Sequence, residues 1–169
     1  MDYVLLLAVL YLMSAAQMAV APALTVGDAT PNLLAAAAAV WMTLFRDERA
    51  LVSAALWGLA VDLQSGGRLG VSAAAYLLAA FALLRARPPA PLPGWLMMAA
   101  AGLLVLVITL AESVARAVRA GSALSSEFWQ RWWECGIYSA ILAAGLMFLS
   151  RSSVAIFGPD EPGAWSAEA

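Results

Sequence analysis

Apolar residues occur in six long runs separated by short clusters of charged residues, Gly or Pro. The runs cover residues 3–24, 31–45, 50–63, 69–84, 95–111 and 134–150. A helix that crosses a bilayer needs about 20 apolar residues, or somewhat fewer when its flanking residues reach the interface. The pattern therefore predicts an all-α membrane protein with about six transmembrane helices in a single domain, residues 1–150.

The polar separators predict how the runs are connected. Pro31 opens the second run, and its fixed φ suits the first turn of a helix. The third and fourth runs flank the turn Gln64-Ser65-Gly66-Gly67-Arg68, in which adjacent glycines permit a tight reversal into an antiparallel hairpin. Prolines between residues 85 and 94 predict a loop. The Gly-, Pro- and acid-containing residues 151–169 predict a disordered cytoplasmic tail.

Composition narrows the classes of function. The chain is 64% hydrophobic and 12% charged, so lipid is expected to be its main solvent. It has no concentrated basic face, which excludes nucleic acid as a primary partner. With no His and one cysteine, Cys135, it can form no internal disulfide, His/Cys zinc site or Cys-His catalytic pair. We expect no cofactor, no metal and no enzymatic activity.

Arginine positions favour one orientation in the membrane. With six spans and both termini in the cytoplasm, five arginines lie inside and four outside. The inside set is Arg46, Arg49, Arg85, Arg87 and Arg151, and the outside set is Arg68, Arg116, Arg119 and Arg131. The short loops carry four of the five inside arginines, so we predict cytoplasmic termini.

The last two runs carry polar and small residues at helical spacing. Glu112, Arg116 and Arg119 share one face, which predicts an amphipathic extension of the fifth span beyond the membrane. Trp129, Trp132 and Trp133 precede the last run and predict an interfacial aromatic belt. Gly136, Ala140 and Ala144 form a small-residue face for close helix packing, either within the chain or against a partner. Gln17 and Thr109 are expected to hydrogen-bond to neighbouring helices.

The hairpin contains an ionisable residue, Asp62, near the end of an apolar arm. A carboxylate there is costly in lipid, and the helix dipole also disfavours it, so it needs a partner. Arg68, Ser65 and the free N–H groups that open the second arm are candidates. Three interpretations stay open: Asp62 pins the turn while Gly58 and Gly70 let helices approach closely, it docks a partner, or it binds a proton or ligand.

The hairpin and the second run together resemble a known family. Pro31-Asn32, Gly58, Asp62, Ser65-Gly66, Leu69-Gly70 and Tyr76 stand where the bacterial rod shape-determining protein MreD has its span-opening Pro and polar residue, its G-x-x-x-D, its Ser/Gly turn, its L-G and its aromatic residue. The resemblance covers about residues 31–85. It implies a fold similar to the substrate-binding components of vitamin (ECF-type) importers.

The resemblance also implies a function and partners. MreD-like proteins are noncatalytic, multi-pass proteins of the bacterial cytoplasmic membrane that bind MreC. Through the elongation complex they associate with MreB, RodA and a class B penicillin-binding transpeptidase, which direct lateral peptidoglycan synthesis and so regulate cell shape. We therefore expect a membrane scaffold of the cell-wall elongation machinery, surrounded by lipid, with self-association left open.

Two other classes of function remain as alternatives. Because the expected fold is shared with importers, the chain could be a solute-binding importer component, which needs a pocket with converging polar groups. The candidates for such a pocket are Asp62, Arg68, Gln17 and Glu112. A membrane enzyme would need two or more carboxylates converging in a buried cavity.

Overall fold

Six α-helices make up most of the described part of the chain. The computed structural model describes residues 3–44, 49–66, 69–86, 93–121 and 124–157. The helices are α1 (Tyr3–Ala19), α2 (Leu33–Leu44), α3 (Arg49–Ser65), α4 (Val71–Ala86), α5 (Gly94–Ala120) and α6 (Ser126–Phe157), with one short 3₁₀ helix at Ala21–Leu24. Within these ranges there is no β-strand, only an isolated bridge between Val26 and Ala29. The predicted all-helical class is confirmed.

The shortest helix, α2, lies at the centre of the bundle. It contacts α1, α3, α5 and α6, and most of its side chains are buried. Its sequence includes five consecutive alanines, residues 35–39. Small side chains let neighbouring helix backbones approach closely, which gives dense packing where no water drives helices together.

Glycine permits the closest contact in the bundle, between α3 and α4. A Cβ atom added to Gly58 would lie 2.3 Å from Cα of Ala73, so the two helix backbones touch at this point. Between α5 and α6 the approach is looser. A Cβ on Gly136 would meet Leu106 at 2.9 Å, and one on Gly102 would meet Ala140 at 3.8 Å.

The short α2 leaves a recess at one end of the bundle. Asn32, just before α2, is hydrogen-bonded to Glu112 of α5 and to Ser139 of α6. From Glu112, α5 continues for two turns to Ala120, about 12 Å, and from Ser139, α6 extends back more than three turns to Ser126. The longer helices therefore form walls beyond the start of α2.

Two helices are long and apolar enough to cross a membrane: Gly94–Val118 within α5 and Ser126–Ser150 within α6. The other apolar helical segments are shorter, with 10–17 residues each. They are Val4–Ala19, Leu33–Leu44, Ala50–Ser65 and Val71–Ala86. The structure thus gives a helical protein with features of a membrane protein.

Several predicted boundaries differ from the structure. Pro31 precedes the helix, which begins at Leu33 because Asn32 caps it. Gln64 and Ser65 belong to α3, whereas Leu69 and Gly70 belong to the turn. The first helix ends at Ala19, before the 3₁₀ helix that contains Pro22.

The C-terminal helices are also longer than predicted. The three tryptophans Trp129, Trp132 and Trp133 lie within α6 and not before it. That helix extends to Phe157, so the first seven residues of the predicted disordered tail are helical. The remaining tail, residues 158–169, lies outside the described residues, as do Arg46, Gly67, Arg68, Arg87 and the Pro-rich segment 88–92.

Candidate functional site

The start of α2 is held by side chains from three directions. Asn32 caps its own helix, with Oδ1 accepting the N–H of Ala35 at 2.9 Å. Gln17 of α1 reaches the same turn, where its Oε1 accepts the N–H of Leu33 at 2.6 Å and its Nε2 donates to the carbonyl of Pro31 at 3.3 Å. Because the first N–H groups of a helix have no partner within it, these acceptors stabilise a helix end inside the bundle.

Glu112 of α5 is the centre of a buried polar network. The amide of Asn32 donates from Nδ2 to Glu112 Oε2, and the hydroxyl of Tyr76 donates to Glu112 Oε1, both at 2.9 Å. Glu112 is 6% exposed and Tyr76 is fully buried. Ser139 of α6 accepts the backbone N–H of Asn32 at 2.8 Å. Four elements (α2, α4, α5 and α6) are thus joined through one carboxylate and its neighbours.

The predicted amphipathic extension of the fifth span is corrected by this network. Glu112 points into the bundle, and Arg116 donates from Nε to the backbone carbonyl of Glu112 at 3.4 Å. The spacing of Glu112, Arg116 and Arg119 places them on one helical face but does not show that the Glu112 carboxylate turns into the bundle. Its hydrogen-bond donors are 36 and 80 positions away in the sequence. An acidic residue within an apolar helix was the only sequence signal.

Asp62 binds the N-terminus of the neighbouring helix α4. Its Oδ2 accepts the N–H of Gly70 at 2.7 Å, and its Oδ1 accepts the N–H of Ser72 at 2.9 Å. The N–H of Ala73 is 3.4 Å from Oδ2. The carboxylate, 1% exposed, therefore caps α4 from α3 and lies at the positive end of the α4 dipole. Of the candidate partners named from the sequence, the free N–H groups of the second arm bind the carboxylate, Ser65 bonds to the backbone carbonyl of Asp62, and Arg68 lies outside the described residues.

The other residues of the hairpin motif have structural contacts of their own. Ser65 donates its hydroxyl to the carbonyl of Asp62 at 3.1 Å. Gly66 and Gly70 have φ values of 59° and 101°, which side-chain-bearing residues rarely adopt. Gly58 allows the contact with α4 described above, and Tyr76 bonds to Glu112.

The small-residue face of the last helix packs in part within the chain. Gly136 and Ala140 face α5, while Ala144 is half-buried. Thr109, expected to bond to a neighbouring helix, instead donates to carbonyls of its own helix, Val105 at 2.9 Å and Leu106 at 3.1 Å. A threonine hydroxyl within a helix readily bonds one turn back, and this satisfies it in a buried position.

A cavity of about 760 Å³ occupies the recess beyond the start of α2. Most of its lining residues are polar or charged and come from all six helices, but apolar atoms form the larger part of its surface. The lining comprises Gln17, Asp28, Thr30, Pro31, Asn32, Leu34, Val61, Gln64, Ser65, Ser72, Thr109, Glu112, Ser113, Arg116, Ala117, Ser125, Glu127, Phe128, Arg131, Trp132 and Cys135. Pockets of a few hundred to a thousand Å³ are typical of small-molecule sites.

The charges of this cavity are arranged by depth. Glu112 is its buried carboxylate, whereas Asp28, Arg116, Glu127 and Arg131 are exposed. Arg116, one helical turn beyond Glu112, bonds to the backbone carbonyl of Glu112 and places a positive charge near its carboxylate.

Trp132 also lines the cavity, and its Nε1 is buried without a hydrogen-bond acceptor among the described residues. Cys135, one turn further along α6, is half-buried. In the described part of the chain no three His, Cys, Asp or Glu side chains are grouped as metal ligands.

The chain was compared with known families and proteins. No protein-family model, no curated protein and no solved structure matches it. Its function is therefore inferred from its own residues and contacts.

Proposed function

We propose that this chain is a six-span protein of the bacterial cytoplasmic membrane and a noncatalytic scaffold of the MreD kind. The observation that carries the proposal is the position of the residues that resemble the MreD motif. Asn32 and Tyr76 converge on Glu112, Asp62 caps α4, and Gly58 sets the distance between α3 and α4. The motif residues thus lie at contacts between helices of the bundle.

The distribution of polar and apolar side chains supports a lipid environment. Buried polar side chains include Thr43, Ser53 and Ser139, which bond to carbonyls of their own helices. Large apolar side chains are exposed on most helices, among them Val4, Tyr11, Met18, Leu78, Phe81, Leu103, Ile141 and Phe148. A water-soluble protein rarely exposes such extended apolar surface, whereas lipid solvates it.

Six spans require the shorter helices to cross with help from their ends. The 12 residues of α2 rise about 18 Å, less than the 30 Å of a typical hydrocarbon core. The central position of α2 supports the proposal, because its neighbours and not lipid surround it. The 3₁₀ helix Ala21–Leu24 and the following turn extend the crossing of α1. We propose that this bundle has the fold of vitamin-importer substrate-binding components.

As a scaffold, the protein would bind partner anchor helices on its exposed apolar faces. The proposed direct partner is MreC, and MreB, RodA and a class B penicillin-binding transpeptidase would follow through the complex. Large apolar side chains on α1 and α4 provide surface for such contacts in lipid.

Affinity purification from the native membrane in mild detergent tests this proposal. We expect MreC and RodA to be recovered with the tagged chain, and not with an unrelated multi-pass protein carrying the same tag. Recovery of neither protein, under conditions in which the chain itself stays folded, would contradict the scaffold.

The cavity favours a second candidate function, a solute-binding importer component. Its volume of about 760 Å³ is in the range of small-molecule sites, and it is lined by Gln17 and Glu112, two of the four candidates named from the sequence. Recovery of two nucleotide-hydrolysing subunits in the same purification would support this candidate. The buried carboxylates do not support the enzyme alternative. Among the described residues Asp62 and Glu112 are both buried, but Glu112 alone of the two lines the cavity.

A further inference from the structure

We propose that the lipid-facing surface of the α3–α4 hairpin binds phospholipids with short acyl chains and so holds the bilayer thin beside it. The occupant of this surface is lipid, with phosphate head groups at the two ends of a low apolar belt. This inference rests on the membrane-spanning bundle of the proposed function, but not on a role as scaffold or importer.

Both helices of the hairpin are shorter than the apolar core of an ordinary bilayer. With 17 residues in α3 and 16 in α4, each helix rises about 25 Å, against about 30 Å for a typical hydrocarbon core. Any tilt lowers the height that a helix covers across the membrane. Lipid beside the hairpin must therefore become thinner if both ends are to reach water.

The apolar belt on the surface of α4 is lower than the helix is long. Val71, Leu78 and Phe81 are exposed, and the belt ends at the exposed Arg85. The rise from Val71 to Arg85 is about 21 Å, and it is about 24 Å when the exposed Leu69 of the turn is included. Acyl chains are needed over that height and no further.

The side chain of Arg85 sets the inner boundary of this belt. Its Cζ lies 5.2 Å from the centroid of the Phe81 ring, so the guanidinium group folds back one helical turn toward the membrane centre. A guanidinium group pairs strongly with phosphate. The head group that complements this charge must lie as deep as the last turn of α4, which identifies the occupant as a phospholipid with short chains.

The outer boundary of the belt is also polar. Gln64 and Ser65, at the end of α3, are exposed, and the Asp62 carboxylate accepts the N–H groups that open α4. On α3 the exposed large apolar side chains extend from Val52 to Leu63, about 16 Å of rise. The two helices of the hairpin therefore share a low apolar belt.

The surface of α5 provides a comparison within the same chain. Its exposed residues from Trp95 to Arg116 span about 32 Å of rise, with the exposed Leu103 and Val107 between them. That height matches an ordinary bilayer core. Selection of short chains is therefore expected at the hairpin and not at α5.

Quenching of a site-specific fluorophore by brominated lipid tests the proposal. The full chain in a Cys135→Ser background carries a bimane label at Leu78→Cys or, as the matched control, at Leu103→Cys; both positions are exposed. Phosphatidylcholines with chains of fourteen to twenty-two carbons compete with a brominated eighteen-carbon lipid. At Leu78→Cys we expect the fourteen-carbon lipid to bind about threefold more strongly than the eighteen-carbon lipid, because each Å of mismatch carries a cost. At Leu103→Cys we expect no such preference.

Variants of Arg85 test the inner boundary of the belt. Arg85→Leu removes the cation that folds over Phe81, so most of the threefold preference at Leu78→Cys should be lost in favour of longer chains. Arg85→Lys retains a positive charge at this position and should retain the preference. Arg85 is exposed, so neither change should unfold the bundle.

The outcomes separate this proposal from the proposed function. Equal binding of all chain lengths at Leu78→Cys would overturn it, as would the same preference at Leu103→Cys. Absence of quenching at Leu78→Cys would also overturn it, since a second copy of the chain would then cover α4. None of these results alters recovery of MreC or of nucleotide-hydrolysing subunits, which tests the scaffold and the importer.

Discussion

Asp62 and Glu112 are both buried carboxylates, yet they perform different tasks. Asp62 accepts backbone N–H groups of one neighbouring helix, so its charge is matched by the positive end of the α4 dipole. Glu112 accepts from two side chains on different helices and keeps access to the cavity. The first arrangement caps one helix, whereas the second joins α4 and the start of α2 to α5.

Removal of the Asp62 carboxylate should destabilise the hairpin. We expect Asp62→Ala to lower the free energy of unfolding by about 3 kcal/mol, because it leaves the buried N–H of Ser72 without an acceptor and removes the bond from the N–H of Gly70. Asp62→Asn retains one acceptor oxygen and should lose about half as much. Unfolding by SDS in mixed micelles gives these values.

Ser65→Ala, which removes only a hydroxyl bond to a carbonyl, should change stability by less than about 0.5 kcal/mol. An Asp62→Ala variant as stable as wild type would refute the cap.

A single methyl group at Gly58 should also disrupt the hairpin. Its Cβ would lie 2.3 Å from Cα of Ala73, and backbone atoms cannot yield as a flexible side chain does. We expect Gly58→Ala to cost about 3 kcal/mol or more in the same unfolding assay.

Gly145→Ala is the matched control for Gly58→Ala. A Cβ there meets nothing within 4 Å, and alanine favours a helix by up to about 1 kcal/mol over glycine. It should be neutral or stabilising. Similar stabilities for the two variants would argue against the close approach of α3 and α4.

At the residue scale, local patterns were predictive where the contact is local. Asp62 and the N–H groups it binds are eight to eleven positions apart across one turn, so the hairpin itself pointed to the contact. The donors to Glu112 lie on other elements of the bundle. Hydrophobic periodicity does not specify how those elements are rotated relative to α5. The same is true of Ser139, which binds Asn32 across 107 residues.

Among the elements, α2 shows how a short helix can begin inside a bundle. Its first N–H groups are accepted by its own cap and by Gln17 from α1. The sequence shows the alanine run that makes α2 compact. The apolar run predicted as this helix, residues 31–45, begins before the helix itself does. The sequence predicts Pro31 as the first helical residue, whereas Asn32 provides the cap and the helix begins at Leu33, two residues after Pro31.

Loss of the Gln17 acceptor should loosen the first turn of α2 without unfolding the protein. We expect Gln17→Leu to speed hydrogen exchange of the Leu33 and Leu34 amides about tenfold, because both N–H groups lose the side-chain oxygen. Gln17→Glu keeps an acceptor at the positive end of the helix and should preserve protection. Unchanged exchange in Gln17→Leu would show that the helix start does not depend on α1.

For the whole molecule, the number and class of elements were predictable because hydropathy and turn residues repeat along the chain. The cavity was not predictable because it arises from unequal helix lengths. The start of α2 lies deeper in the bundle than the end of α5 and the start of α6, which extend past it. Its lining comes from residues between positions 17 and 135. This end of the bundle contains the start of α2, the end of α3, the start of α4, the end of α5 and the start of α6.

The proposed six-span orientation places the cavity on the outer face of the membrane. With the N-terminus inside, α1 ends outside, so the start of α2 and all the cavity walls also lie outside. Cys135 lines the cavity and is the one cysteine of the chain. A membrane-impermeant maleimide should therefore label Cys135 in intact spheroplasts and not in inverted vesicles, with labelling in detergent as the measure of full access.

The opposite end of the bundle offers the matched site for this measurement. Arg85 is exposed in the last turn of α4. Arg85→Cys in a Cys135→Ser background should be labelled only in inverted vesicles, because α4 runs from the outer face to the inner face. Labelling of both sites from the inner face would contradict a spanning bundle, whereas exchange of the two sides would reverse the orientation. In the second case the cavity would open to the cytoplasm.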